Sequence, residues 1–432
     1  MMNRNVVYFA VFFAMLVFVG MFQSWTVAFS IFNLCLISAI MALGVNIQWG
    51  YAGLFSVGTT GFVALGGVAA VVTSMPPVQE AWTTGGARLL TALVFAGATI
   101  VISVLLWKRM AKGRIRGFVV AATLIIGFFI FRYLFDPAVA EIESVNPAAE
   151  GYLGGLGLHI IFSWIVGGLF AAGAAWMIGK VALGLRSDYL AIATLGISEI
   201  IIAVIKNEDW LTRGVKNVNG IPRPVAYEVD LQQTADFVRA ADWLGIDTVL
   251  ASSLYVKFSY GILFLIVLGL IIWLSELSLN SPWGRMMRAI RDNEEAAAAM
   301  GKDVTKRHLQ VFVIGSAVCG IAGAMLTSLD GLLTPASYQP LRFTFLIWVM
   351  VIVGGSGNNW GAVLGGFIIW FLWIEVEPLG LWIMEWVTSG LEDRSDLKDH
   401  LMDSAAHMRL VTMGAILLLV LRFNPKGLIP EK

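Results

Sequence analysis

Few side chains in this chain could do chemistry, and those that could are scattered. Glu199, in Ser198-Glu199-Ile200-Ile201, is the clearest ionisable group well inside an apolar run. Aspartate, lysine or arginine at such depth costs roughly 2.5 to 3.5 kcal/mol on the insertion scale, so Glu199 is expected to face a bundle interior. Two clusters, Trp49 to Gly58 and Gly354 to Gly361, place small, hydroxyl and amide residues between apolar stretches. They read as broken or re-entrant helices, whose free amides and carbonyls can meet a polar solute, although tight surface turns would have the same composition. Ser56, Thr59, Ser356 and Asn358 offer dipoles without fixed charge, and with Glu199 they form the candidate pathway. No catalytic or metal site is expected, because the four histidines are scattered without triad or ligand spacing. Cys35 and Cys319 lie in apolar runs and suggest no disulfide framework. The sequence lacks a phosphate loop of the form G-x-x-x-x-G-K-[ST], since Gly301-Lys302 is followed by Asp303. The chain is therefore expected to bind no cofactor of its own and to hydrolyse no nucleotide.

The elements that hold these residues follow from composition. Of 432 residues, 58% are apolar and 13% charged, against roughly 25% charged in an ordinary soluble domain. That much apolar surface needs a bilayer, and each helical crossing takes roughly 20 residues. Basic and acidic residues balance at 29 each, which argues against a nucleic-acid partner. Apolar runs at about 6–22, 27–47, 57–74, 87–107, 118–135, 157–179, 188–205, 258–277, 309–329, 341–355, 360–376 and 408–423 predict an all-α polytopic membrane protein of about twelve transmembrane helices. The first run is expected to remain as a span rather than be cleaved, since a second follows almost at once. Lys108, Arg109, Lys112, Arg114 and Arg116 crowd one connection, while Asp136, Glu141, Glu143 and Glu150 populate the next. Placing the basic connection in the cytoplasm puts both termini there as well. It also makes 206–257 and 377–407 external loops, the second with Arg394 and Lys398 among its acids. Glycine pairs such as Gly66-Gly67, Gly167-Gly168 and Gly365-Gly366 suggest close helix packing. Glu276, Asp330, Arg342, Glu375 and Glu377 fall near span ends and read as interfacial anchors.

Between two spans, the cytoplasmic segment 278–308 predicts one delimited amphipathic helix from Pro282 to Met300. Ser281 can cap its first amides, Pro282 suits the first helical position, and Gly301 suits a left-handed stop. Trp283, Met286, Ile290, Ala297 and Met300 form an apolar stripe, with Arg285, Arg288, Asp292 and Glu295 opposite. Arginines near its start and glutamates near its end oppose the helix dipole, each by roughly 0.3 to 1 kcal/mol. Docking to a partner or to lipid phosphates would account for that, as would a plain surface helix.

The run Glu294-x-Ala296-Ala297-x-Ala299-Met300-Gly301 resembles the coupling segment of ABC importer permeases, in the form found in the branched-chain amino acid permease family of LivM type. The stretch from Ser187 to Gly196 followed by Glu199-Ile200-Ile201 is similar to that family's. So are Thr212-x-Gly214 with Asn217 and Ile221-Pro222, Gly354-Gly355-x-Gly357 with Gly361, and the ending Asn424-Pro425-Lys426-Gly427-Leu428. The resemblance covers 28–74 and most of 180–432. It implies one permease domain over 1–432, with 76–156 and its two additional spans atypical. It further implies a multi-pass subunit of the bacterial inner membrane, paired with a homologous second permease as a heterodimer. Two cytoplasmic ATP-binding subunits, using ATP and magnesium, would couple through Trp283, Ile290, Arg291, Glu294, Ala297, Met300 and Gly301, and a periplasmic substrate-binding protein would deliver leucine, isoleucine or valine. Departures are Thr59, where the family often has histidine, and Arg213, Val215 and Val218, where small residues are usual. Urea, short amides or other amino acids are alternative cargoes. An ion-coupled secondary transporter, or a structural membrane anchor, would account for the spans without needing the coupling helix.

Overall fold

The computed structural model describes residues 2–148, 150–389 and 396–431. Each of the apolar runs falls on a helix: α1 (Met2–Phe22), α2 (Trp25–Val45), α3 (Thr59–Ser74), α4 (Ala87–Arg109), α5 (Arg114–Ser144), α6 (Ile160–Ala182), α7 (Ser187–Asn207) and α8 (Thr248–Asn280). Two cytoplasm-expected helices follow, α9 (Pro282–Asp292) and α10 (Glu294–Ala299), then α11 (Val304–Asp330), α12 (Pro340–Gly354), α13 (Asn359–Val387) and α14 (Met408–Phe423). Among the described residues, nine helices are long and apolar enough to cross a membrane, and α3 and α12 are shorter apolar helices. The protein is an all-α polytopic membrane protein.

The core is built on α2, α3, α6 and α11, which pack together, while α13 joins α2 to α12. Small residues set these distances. A Cβ on Gly66 of α3 would lie 1.9 Å from the Gly320 carbonyl of α11, so only glycine permits that crossing. By contrast α4 and α5 pack mainly on each other and have their own small core of Ala81, Leu89, Ala138, Ile142 and Leu153. The hairpin is tied to the rest near residues 77–89 and 135–154, where Phe135 meets Trp210 edge-on at 5.9 Å and Pro77 bridges Gly154.

Three boundaries differ from the sequence reading. α13 continues through Pro378 to Val387, so the connection expected from 377 starts later. Apolar residues from Leu379 to Val387 carry the helix past a proline that would usually end it. α8 starts ten residues before the run at 258, because Asp247 Oδ2 accepts from the amides of Val249 (3.1 Å) and Leu250 (3.2 Å). The expected single helix from Pro282 to Met300 is two helices, interrupted at Asn293 with φ −157° and ψ 99°. Arg394 lies outside the described residues.

Candidate functional site

Both clusters read as broken helices interrupt the helical path. After α2, one irregular turn (Asn46–Gly50) leads into an extended stretch that ends at α3. The chain between α12 and α13 turns through Gly355 (φ +117°) and Gly357 (φ +78°), conformations open to glycine. The two breaks meet. Gly357 N–H donates to Asn46 Oδ1 (2.9 Å), Asn46 Nδ2 donates to Asn359 Oδ1 (3.3 Å), and Asn359 Nδ2 donates to Glu276 Oε1 (3.0 Å). Trp348 Nε1 donates to the Ser56 carbonyl (3.1 Å), so backbone exposed by the first break is satisfied by α12.

Arg291 closes this junction from outside. Its Nη1 donates to the Gly50 carbonyl (2.5 Å) and pairs with Glu431 Oε2 (2.9 Å), while Nη2 reaches Asp292 (3.2 Å). Burial works against its charge, but the Glu431 and Asp292 carboxylates outweigh that and hold the guanidinium above its ordinary range. One side chain thus ties α9 to the first break and to the chain's end.

A second feature lies deeper. At 1.5 Å per residue, α3 and α12 are only about 24 and 22 Å long, short of the roughly 30 Å hydrocarbon thickness. Their first turns meet: the Thr60 hydroxyl donates to the Pro340 carbonyl (3.3 Å) and lies 2.8 Å from the Thr344 hydroxyl. Beside this meeting point is a cavity of about 360 Å³. Met41, Val63, Phe343 and Ile347 give it apolar walls, and Thr60, Thr327, Asp330, Ser337 and Tyr338 its polar groups. Leu332 at its rim belongs to β2 (Leu332–Leu333), which pairs antiparallel with β1 (Val218–Asn219). The 206–257 segment is thereby hydrogen-bonded to the cavity's edge.

The residues expected to line a pathway are divided. Ser56 and Thr59 are buried at the start of α3 with hydroxyls lacking a hydrogen-bond partner, next to the cavity-lining Thr60 but not in its wall. Asn358 caps α13, its Oδ1 accepting from Trp360 (3.0 Å) and Gly361 (3.3 Å), and Ser356 is half-buried in the turn before it. Glu199 does not face the bundle interior. α7 buries Leu190, Thr194, Ser198, Ile202 and Ile205 along one stripe, leaving Glu199 exposed in an open groove with Lys206 and Arg342. In the 278–308 segment, Ile290 and Ala297 are buried in this chain's own core and Trp283 Nε1 donates to Gln310 (3.2 Å). Glu294 and Met300 remain exposed, and Gly301 stops the segment at φ +76°.

Sequence reasoning passed over Asp330 as an end-of-span anchor, together with four others. Those four have partners: Glu276 accepts from Asn359 (3.0 Å), Glu375 from Gln23 (2.7 Å), Glu377 pairs with Arg409, and Arg342 lies 4.9 Å from the Trp373 ring. The Asp330 carboxylate has no hydrogen bond or ion pair among the described residues. No local signal could have separated it from the rest, because the difference lies in tertiary neighbours.

The family profile described as "Branched-chain amino acid transport system / permease component" matches residues 133–421. The high-affinity branched-chain amino acid transport system permease protein LivM of Escherichia coli is 26% identical over 269 residues, which is 61% of this chain and 56% of that protein. The probable branched-chain amino acid transport permease protein LivM of Methanocaldococcus jannaschii is 26% identical over 295 residues, 68% of this chain and 73% of the relative. The fructose import permease protein FrcC of Rhizobium meliloti is 24% identical over 269 residues, 61% of each. The chain spans about half the length of the Escherichia coli relative it matches. No solved structure matches it.

Proposed function

The chain belongs to the family of permease components of branched-chain amino acid transport systems, and from that premise we propose that it is the membrane-spanning subunit of an ABC importer for leucine, isoleucine and valine. The observation that carries the choice of cargo is the cavity beside α3 and α12. Its walls are mostly apolar, with a few polar groups and one free carboxylate, which suits a zwitterion with a hydrocarbon side chain. In this reading the subunit sits in the inner membrane with both termini cytoplasmic. It pairs with a homologous permease, receives its cargo from a periplasmic binding protein at the 206–257 segment and the connection that follows α13, and rests on two ATP-binding subunits that supply ATP, magnesium and hydrolysis. The exposed face of α9 and α10, with Ala289, Glu294, Ala296 and Met300, docks on an ATP-binding subunit. Arg291 passes movement from there to the two breaks.

A sugar permease is the second reading, favoured by the likeness to FrcC. Uptake by the complete transporter in proteoliposomes, with a panel of labelled leucine, isoleucine, valine, urea and fructose, separates the two. ATP-dependent accumulation of the three amino acids is expected, with little of urea or fructose. Accumulation of fructose or urea without the amino acids would overturn the reading.

A further inference from the structure

Asp330 ends α11 at the rim of the cavity, where the side chain is exposed and its carboxylate has no partner among the described residues. An unpaired carboxylate at the mouth of a mostly apolar cavity sets a negative potential there that draws a cation in. Arg223, whose Nε lies 3.9 Å from where a Cβ on Gly331 would be, pairs with Glu228 at 2.9 Å. Two hydroxyls stand beside Asp330. Thr327 Oγ1 and Tyr338 Oη are 3.5 Å apart and both buried. Burial pushes the Tyr338 phenol up to about 12, so it stays a neutral hydroxyl at any physiological pH. The space they need is kept open by Gly67, where a Cβ would lie 2.6 Å from Tyr338 Oη and 2.8 Å from Thr327 Oγ1.

We infer that Asp330, with the hydroxyls of Thr327 and Tyr338, is the subsite for the ammonium group of a transported amino acid, contained within this one chain. The ammonium has three donors. Asp330 takes the charge, and the two hydroxyl oxygens accept the remaining protons. The hydrocarbon side chain then lies against Val63, Phe343 and Ile347, which need nothing from it but shape. Leu332, on the rim, is paired through Asn219 to the external segment, so arrival of a binding protein there would act on the mouth of the same subsite. The inference rests on the amino acid reading of the cargo and narrows it to one group on one residue.

The test uses the complete transporter with its binding protein. Cys35 and Cys319 are buried, so Ser337→Cys on the cavity wall adds this chain's accessible thiol. It is labelled with a trimethylammonium thiosulfonate and with a sulfonate analogue of similar size. The carboxylate should speed the cation over the anion by about tenfold, and Asp330→Asn should bring the ratio close to one. Leucine-loaded binding protein with ATP should slow labelling when Asp330 is present and fail to do so in Asp330→Asn, with Asp330→Glu restoring part of the protection. Equal rates for the two reagents, or leucine protection undiminished in Asp330→Asn, would overturn the subsite while normal leucine uptake left the cargo reading standing. A wild-type transporter that carries fructose or urea and no amino acid would overturn both.

Discussion

Arg291 shows how a residue's setting in the fold can differ from the one its segment suggests. Its position in the 278–308 segment suggested polar contact with an ATP-binding subunit, whereas its guanidinium turns inward to the Gly50 carbonyl and Glu431. Nothing in the local sequence signals a contact 241 positions away. Ser281, Pro282 and Gly301 were legible because their roles are set by backbone geometry within a few residues: Ser281 Oγ accepts from Trp283 (3.2 Å), and Gly301 takes φ +76° with nothing near its missing Cβ. Removing the guanidinium leaves a carbonyl and a carboxylate short of a donor. Arg291→Ala should therefore lower the unfolding free energy by about 1 to 2 kcal/mol, discounted because the pair is partly hydrated. Arg291→Ala and Glu431→Gln should be non-additive by about 0.5 to 1 kcal/mol in thermal unfolding of the detergent-solubilised protein. Strict additivity would mean the pair does not bind α9 to the chain's end.

Among the elements, the interruption at Asn293 explains a charge pattern that a single helix could not. As one helix from Pro282 to Met300, the segment would have arginines at its positive end and glutamates at its negative end. Divided at Asn293, Arg291 falls in the last turn of α9 and Glu294 and Glu295 in the first turn of α10, so these three charges favour their dipoles. Docking to a partner is therefore no longer needed to account for these charges. Asn293 Oδ1 accepts from Ala296 N–H (2.9 Å), a cap that sequence reading passed over because the apolar stripe runs through it at helical spacing. Asn293→Ala removes that cap at a cost of about 1 kcal/mol and favours continuity between α9 and α10. The expected result is more ATP hydrolysed per leucine accumulated, measured in the same proteoliposomes, with the subunits still copurifying. An unchanged ratio would make the interruption incidental to coupling. The spans were legible for the opposite reason: lipid demands a run of apolar residues whatever the tertiary context, whereas the meeting of the first turns of α3 and α12 is a tertiary contact that no run reveals.

At the scale of the whole molecule, two sets of connections are each linked within themselves among the described residues. Residues 46–58, 276, 291, 355–359 and 431 are linked to one another, and so are 76–78, 152–157, 210–221 and 331–333. Each set contains only connections that the alternation of spans assigns to the same side, so the helical path passes from one end of the bundle to the other as the apolar runs required. The proposed orientation of these two ends rests on charge. Lys108 and Arg109 end α4, Lys112 lies in the turn, and Arg114 and Arg116 begin α5, with no acid among them, a cluster expected to stay on the cytoplasmic side during insertion. That hairpin packs little against the bundle, so its orientation is governed by its own charges and not by the core. With Cys35 and Cys319 buried, single cysteines at two exposed positions report the outcome: Lys112→Cys in the basic turn and Gln233→Cys in the 206–257 segment. In intact cells a membrane-impermeant maleimide should label Gln233→Cys and reach Lys112→Cys only after the membrane is opened. The reverse pattern would invert the orientation and place the face of α9 and α10 outside, beyond any nucleotide-driven partner. Equal labelling of both positions in intact cells would mean that these two connections share one side, which the alternation of spans between them forbids.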